Sequence, residues 1–216
     1  MKEKGVNRLV TAPLSKEAVK FTQEGFCGHT EYLAACFKVN NFAMMMASKS
    51  LNVILLSRHI PLRDVAFSIN KKIVHDALSL AYSALKKQFK IKNPKIVFVS
   101  VNPHAGLDTF LDSEEKKIVE AIREFKAKVY GPYPCDTIFA KEKLKNYDCI
   151  ICAYHDQGMI PFKILSFYDG VNVTLGLPII RTSPAHGTAF DLMKTGKKPS
   201  SLSMEAAIKM ALKLSA

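Results

Sequence analysis

The chain has 216 residues, 48% of them hydrophobic, enough to bury the core of one large α/β unit or two smaller ones. No apolar run approaches the roughly 20 residues that span a bilayer, and Met1-Lys2-Glu3-Lys4-Gly5 lacks the apolar stretch of a secretory signal, so the expectation is a soluble, cytoplasmic protein with no membrane partner. The formal net charge of +12 comes mostly from scattered lysines, not from a basic tail or an aromatic-interleaved patch, which argues against nucleic-acid binding and leaves a field suited to anionic substrates.

Apolar β-rich runs alternate with segments of helical period, the pattern of an α/β fold. Strands are predicted over residues 8–12, 42–47, 52–57, 95–101, 147–153 and 171–175. Between the second and third, Ser48-Lys49-Ser50 is too short for a crossover helix and predicts an antiparallel hairpin, hence a mixed sheet. Helices are predicted over residues 72–88, 113–128 and 204–214, where apolar residues recur at three- and four-residue spacing, with a shorter one over 187–194. Asp112, three residues before Glu115, reads as a variant capping pair for the second helix.

Five cysteines are an odd number and argue against a disulfide framework. Cys149 and Cys152 lie in an apolar strand-like run, where a separation of three puts their side chains on opposite faces and spoils a joint redox or metal role.

The six histidines divide by context. His59 precedes the proline turn Ile60-Pro61-Leu62 and His75 lies inside an amphipathic helix; both read as structural. His29, His104, His155 and His186 each lie within three residues of a glycine, three of them in loop-like surroundings. His104 and His155 follow predicted strands directly, where open α/β sheets bind ligands. Three neutral imidazoles from separate segments suit a divalent transition metal, with positions left open for substrate oxygens. The long, irregular separations are equally those of unrelated histidines. Downstream, Lys163, Asn172 and Arg181 punctuate an apolar stretch and can bind a phosphate or carboxylate, or stand as solvated surface groups.

Taken together, VTAPLSK (10–16), GHTEY (28–32), HIPLRDV (59–65), NPHAG (102–106), CDTIF (135–139), YHDQG (154–158), GVNVTLGLPIIRTS (170–183) and HGTAFDL (186–192) resemble the 4-hydroxythreonine-4-phosphate dehydrogenase family of pyridoxal phosphate biosynthesis. The motifs occur in the family's order over nearly the whole chain. The resemblance implies an α/β/α sandwich with a mixed sheet, of the isocitrate and isopropylmalate dehydrogenase type. Residues 1–150 would form a central α/β domain carrying the dimer interface and metal ligands, and 151–216 the C-terminal portion of the other domain. The resemblance carries metal binding (Zn²⁺, Mg²⁺ or Co²⁺) onto His29, His104 and His155, and substrate binding onto Lys163, Asn172 and Arg181.

It further implies a homodimer with a shared active site, and NAD- or NADP-linked oxidation of 4-phosphohydroxy-L-threonine at its 3-hydroxyl. Loss of carbon dioxide would then give 3-amino-2-oxopropyl phosphate. Asp136 and Asp156 are the candidate proton acceptors. HGTAFDL is similar to the adenine-side loop of isocitrate dehydrogenases, which would place His186 and Asp191 at the dinucleotide.

Two features depart from the family. Its GDPxGIGxE-type motif has no match, so the expectation is a chain without the family's N-terminal part. After NPHAG, where the family is glycine-rich, this chain reads Leu107-Asp108-Thr109-Phe110-Leu111. The competing readings are a sister 4-phospho-threonate or 4-phospho-erythronate dehydrogenase, a phosphate acyltransferase of the same broad fold, and a non-catalytic truncated product.

Overall fold

The structure is a computed structural model that describes residues 5–21, 25–57, 59–106, 113–196 and 200–215. In chain order it runs β1 (Arg8–Val10), α1 (Lys16–Lys20), α2 (His29–Cys36), β2 (Ala43–Ala47), β3 (Asn52–Leu55), α3 (Val65–Ser68), α4 (Lys71–Lys87) and β4 (Ile96–Val99). It continues through α5 (Ser113–Glu124), β5 (Val129–Tyr133), α6 (Cys135–Ile138), α7 (Lys141–Leu144), β6 (Cys149–Cys152) and α8 (His155–Leu165). The last elements are β7 (Val171–Leu175), β8 (Ile180–Pro184), α9 (Phe190–Thr195) and α10 (Leu202–Lys213). All six expected strands and four expected helices are present, with ends shifted by a few residues. Asp112 lies outside the described residues. No helix among the described residues is long and apolar enough to cross a membrane.

The eight strands form one sheet in the order β1-β8-β7-β2-β3-β6-β4-β5. As expected it is mixed: β2 and β3 pair antiparallel around Ser48-Lys49-Ser50, and the turn is held by the Ser48 hydroxyl, which accepts from the amides of Ser50 and Leu51. β7 is antiparallel to both of its neighbours. The strands β3, β6, β4 and β5 are all parallel. The boundary expected at residue 150 falls inside β6, and β7 and β8 lie between β1 and β2, so strands from both segments share the sheet.

Strand alternation sends successive side chains to opposite faces. Ile54, Ile96, Phe98, Cys149 and Ile151 pack on one face with Leu78 of α4, Ile118 of α5 and Ala207 of α10. Val53, Leu55, Val97, Ile150 and Cys152 face the other way, against Ile138 of α6 and Phe162 of α8. This is the three-layer α/β/α sandwich that was expected. The two strand cysteines lie in separate halves of the core, and all five cysteines are free.

β5, β8 and α8 escaped the sequence reading for a common reason: each contains a residue that usually breaks its element. Pro132 is tolerated because β5 is an edge strand, and Pro184 because it ends β8. α8 contains both Gly158 and Pro161. Its glycine is required by packing: a Cβ at Gly158 would stand 2.6 Å from Val53 Cγ1, 2.8 Å from Leu55 Cδ2 and 3.1 Å from Cys152 Sγ. Gly158→Ala is therefore expected to push α8 off the sheet and destabilise the fold by about 1–3 kcal/mol despite alanine's better helix propensity. Urea unfolding monitored by circular dichroism measures it.

Candidate active site

The parallel run β3-β6-β4-β5 aligns four carboxyl ends side by side, and the chain leaving each end carries a chemically active side chain. In spatial order these are His59 after β3, His155 and Asp156 after β6, His104 after β4 and Asp136 after β5. The contribution from β3 was missed: the proline turn after His59 made it read as structural. The structure shows His59 exposed, with its ring centroid 6.1 Å from that of His155. A signal existed in the sequence, since His59 follows a predicted strand just as His104 and His155 do.

His155 and His29 do not sit in loops; each opens a helix, α8 and α2 respectively. His155 Nδ1 lies 2.6 Å from Asp156 Oδ1. A carboxylate there holds the proton on Nδ1 and leaves the Nε2 lone pair outward, the arrangement common to metal-binding imidazoles. His155, Asp156, His59 and Tyr154 line a cavity of ≈ 320 Å³. A larger neighbouring cavity of ≈ 660 Å³ takes in His104, Asp136 and Gln157, with Tyr154 and Asp156 on the shared wall. His104 has φ +56° and Ala105 φ +55°, left-handed conformations that residues other than glycine hold only when their surroundings enforce them.

His29 belongs to a different group. With Lys16, Asn172, Arg181, His186 and again His59, it lines a cavity of ≈ 310 Å³ on the sheet face. The alternation that buries Ile180 and Val173 on the opposite face turns Arg181 and Asn172 toward this cavity. Arg181 is 3% exposed and donates to three hydroxyls, Thr11 Oγ1 at 2.6 Å, Thr174 Oγ1 at 3.1 Å and Thr30 Oγ1 at 3.5 Å. None of these neutralises its charge. Burial pulls the guanidinium down to about 10, with Glu31 opposing the shift. Burial, and then the charge of Arg181, also hold His29 below the usual imidazole range, which keeps it neutral near pH 7, able to donate from one nitrogen and accept at the other. Among the described residues, two buried atoms on this wall lack a hydrogen-bond partner: Arg181 Nε, a donor, and Asn172 Oδ1, an acceptor. A ligand carrying both an anionic group and a hydroxyl or amine would satisfy the pair.

Lys163, in the last turn of α8, donates to the carbonyl of Ala185 beside this cavity, and burial lowers its pKa. His186 Nδ1 lies 2.8 Å from the Gly187 carbonyl at the cavity mouth. Asp191 falls within α9, but its side chain lies outside the described residues, as do Leu107 to Asp112 after the NPHAG motif. Among the described residues no group of three His, Cys, Asp or Glu side chains is gathered to hold a metal. The structure thus brings His59 beside His155, and places His59 also on the wall that carries His29 and Arg181.

Residues 1–211 match the family model for pyridoxal phosphate biosynthetic protein PdxA. The chain belongs to this family. A 4-hydroxythreonine-4-phosphate dehydrogenase of Desulfosudis oleivorans is 42% identical over 212 residues, covering 96% of this PdxA-family chain and 62% of the relative. A D-threonate 4-phosphate dehydrogenase of Salmonella typhimurium is 44% identical over 213 residues, covering 97% and 64%. The crystal structure of a 4-hydroxythreonine-4-phosphate dehydrogenase from Klebsiella pneumoniae matches with a TM-score of 0.84 at 40% identity, over 98% of this chain and 65% of that one. The PdxA-family chain therefore spans just under two thirds of the length of these curated relatives. An isocitrate dehydrogenase from Methylococcus capsulatus, at 11% identity and a TM-score of 0.54, shares the fold, as the sequence motifs implied.

Proposed function

We propose that this PdxA-family chain serves the NAD- or NADP-linked oxidation of a secondary alcohol in a phosphorylated four-carbon hydroxy acid. The substrate we favour is 4-phosphohydroxy-L-threonine, oxidised at its 3-hydroxyl and then decarboxylated to 3-amino-2-oxopropyl phosphate. D-Threonate 4-phosphate, the substrate named for the Salmonella relative, is the alternative. The observation that carries this reading is the cavity where a buried guanidinium with an unpartnered Nε and an amide with an unpartnered Oδ1 meet His59, the end member of the histidine row.

In this reading Arg181 takes an anionic end of the substrate, with Lys163 beside it, while neutral His29 and Asn172 exchange hydrogen bonds with its hydroxyl or amine. The donor set His59, His155 and His104 is chemically suited to a divalent cation such as Zn²⁺, Co²⁺ or Mg²⁺. A cation held there would supply Lewis acidity to the substrate hydroxyl, favouring its oxidation by the nicotinamide. Because His104 lines a different cavity from the one His59 and His155 share, we assign completion of the site to a second copy, making the working protein a homodimer. The outer side of α8 suits that role, since Ile160, on the wall of the His104 cavity, is 59% exposed and Ile164, one turn on, is 77% exposed. Asp156 is engaged with His155, which leaves Asp136 as the carboxylate to receive the alcohol's proton. His186 and the segment of Asp191 are assigned to the dinucleotide.

The test is formation of reduced nicotinamide by the purified protein from each phospho-acid in turn. Turnover of 4-phosphohydroxythreonine that a chelator abolishes and a divalent cation restores is the expected result. Turnover of threonate 4-phosphate alone would move the assignment to the sister enzyme, nicotinamide reduction that survives chelation would overturn the metal-assisted reading, and acyl phosphate turnover with no nicotinamide reduction would point to acyl transfer. Cofactor binding with no turnover of either acid would mark a non-catalytic product.

A further inference from the structure

The loop that presents His104 is tied down from three sides, and two of its ties come from buried polar side chains. Glu115, on α5, is 0% exposed, and its Oε1 accepts from the backbone amides of Val101 and Asn102, both at 2.8 Å. Gln157, on α8 and 8% exposed, bridges two strand ends: its Nε2 donates to the Ser100 carbonyl and its Oε1 accepts from the Ala153 amide, each at 2.7 Å. The Ser100 amide donates to the Tyr133 carbonyl at 2.9 Å, and the Ser100 hydroxyl to the Asn102 carbonyl at 2.9 Å. Immediately beyond these bonds, His104 and Ala105 adopt their left-handed backbone angles.

Burying a carboxylate is costly and is sustained only by strong hydrogen bonds to the charged form. A solvent-exposed loop does not need such an anchor merely to close. A loop that must hold one imidazole in an unfavourable backbone conformation, at a set separation from a second imidazole on another strand, does. Gln157 lies two residues after His155, so the same side chain that grips the His104 loop is fixed to the helix that carries His155.

We propose that Glu115 and Gln157 are positioning residues that lock the His104 loop to the His155 helix and so preorganise the cation site. This rests on the reading of His104 and His155 as cation ligands. The proposal predicts that Glu115→Ala weakens Co²⁺ or Zn²⁺ affinity, measured against a competing chelator, by roughly 10-fold or more. Glu115→Gln, whose side-chain carbonyl can still accept both amides, should stay close to wild type. Two further readouts separate positioning from general damage. Amide hydrogen exchange at Val101 and Asn102 should accelerate in Glu115→Ala and not in Glu115→Gln, and inorganic phosphate binding in the Arg181 cavity should be unchanged in both.

Should Glu115→Ala fail to fold, Glu115→Asp, too short to reach both amides, is expected to show the same losses. Folded Glu115→Ala or Glu115→Asp protein that binds the cation as tightly as wild type overturns the proposal. A wild-type protein indistinguishable from His104→Ala in cation affinity overturns the ligand reading and the proposal with it, whatever the exchange rates show.

Discussion

His59→Ala is expected to strip the divalent cation and lower kcat by roughly 10³-fold, the several kcal/mol that such an ion contributes to a developing alkoxide. His29→Ala is expected to leave the cation content unchanged and to act through KM. The contrast follows from the proposed donor set of His59, His155 and His104, with His29 on the substrate wall. The ring of His59 stands 6.1 Å from that of His155 at the carboxyl end of the neighbouring parallel strand. His29 lies on the wall with Arg181, whose charge reinforces burial in keeping the imidazole neutral. Metal analysis of the two purified variants beside steady-state kinetics decides between them. Loss of the cation from His29→Ala, with full retention in His59→Ala, would favour His29 as the ligand, as the motifs imply.

Arg181→Met should raise KM for the phosphorylated substrate and lower kcat/KM by about 150-fold, the value of one bidentate charge-assisted contact of about 3 kcal/mol. The same substitution is expected to leave the unliganded protein as stable as wild type or more so. Among the described residues, Arg181 carries its charge at 3% exposure with only threonine hydroxyls as hydrogen-bond partners. Its folded pKa of about 10 lies below the ordinary guanidinium value, so the unfolded chain binds the proton more tightly and the buried charge opposes folding at every pH below about 10. A methionine removes that penalty while filling much of the volume. Thermal melts with and without inorganic phosphate measure both effects, because only a protein that binds the anion is stabilised by it. A large drop in the melting temperature of the unliganded variant would show that Arg181 serves the fold and not a ligand.

Much of this molecule could be read before it was seen. The alternation of β-rich and helical segments, the hairpin at Ser48-Lys49-Ser50, the opposed cysteines of β6 and the family itself were all legible, because period, turn chemistry and motif order are local properties of the chain. Arg181, Asn172 and His104 were picked out by residue type against their surroundings. Other features were not local. β5, β8 and α8 form against their own prolines and glycine, because the edge position, the strand end and close packing on β3 remove the usual cost.

Which histidines share a wall depends on strand order, and β3, β6 and β4 are neighbours in space although β6 comes last of the three in sequence. Their adjacency sets His59 beside His155, and sheet alternation turns Arg181 to the cavity that His29 lines from the start of α2. Residue chemistry was thus written in the chain, while the grouping of those residues came from the sheet. Side chains tens of residues apart can share one site only after parallel strands have aligned their ends.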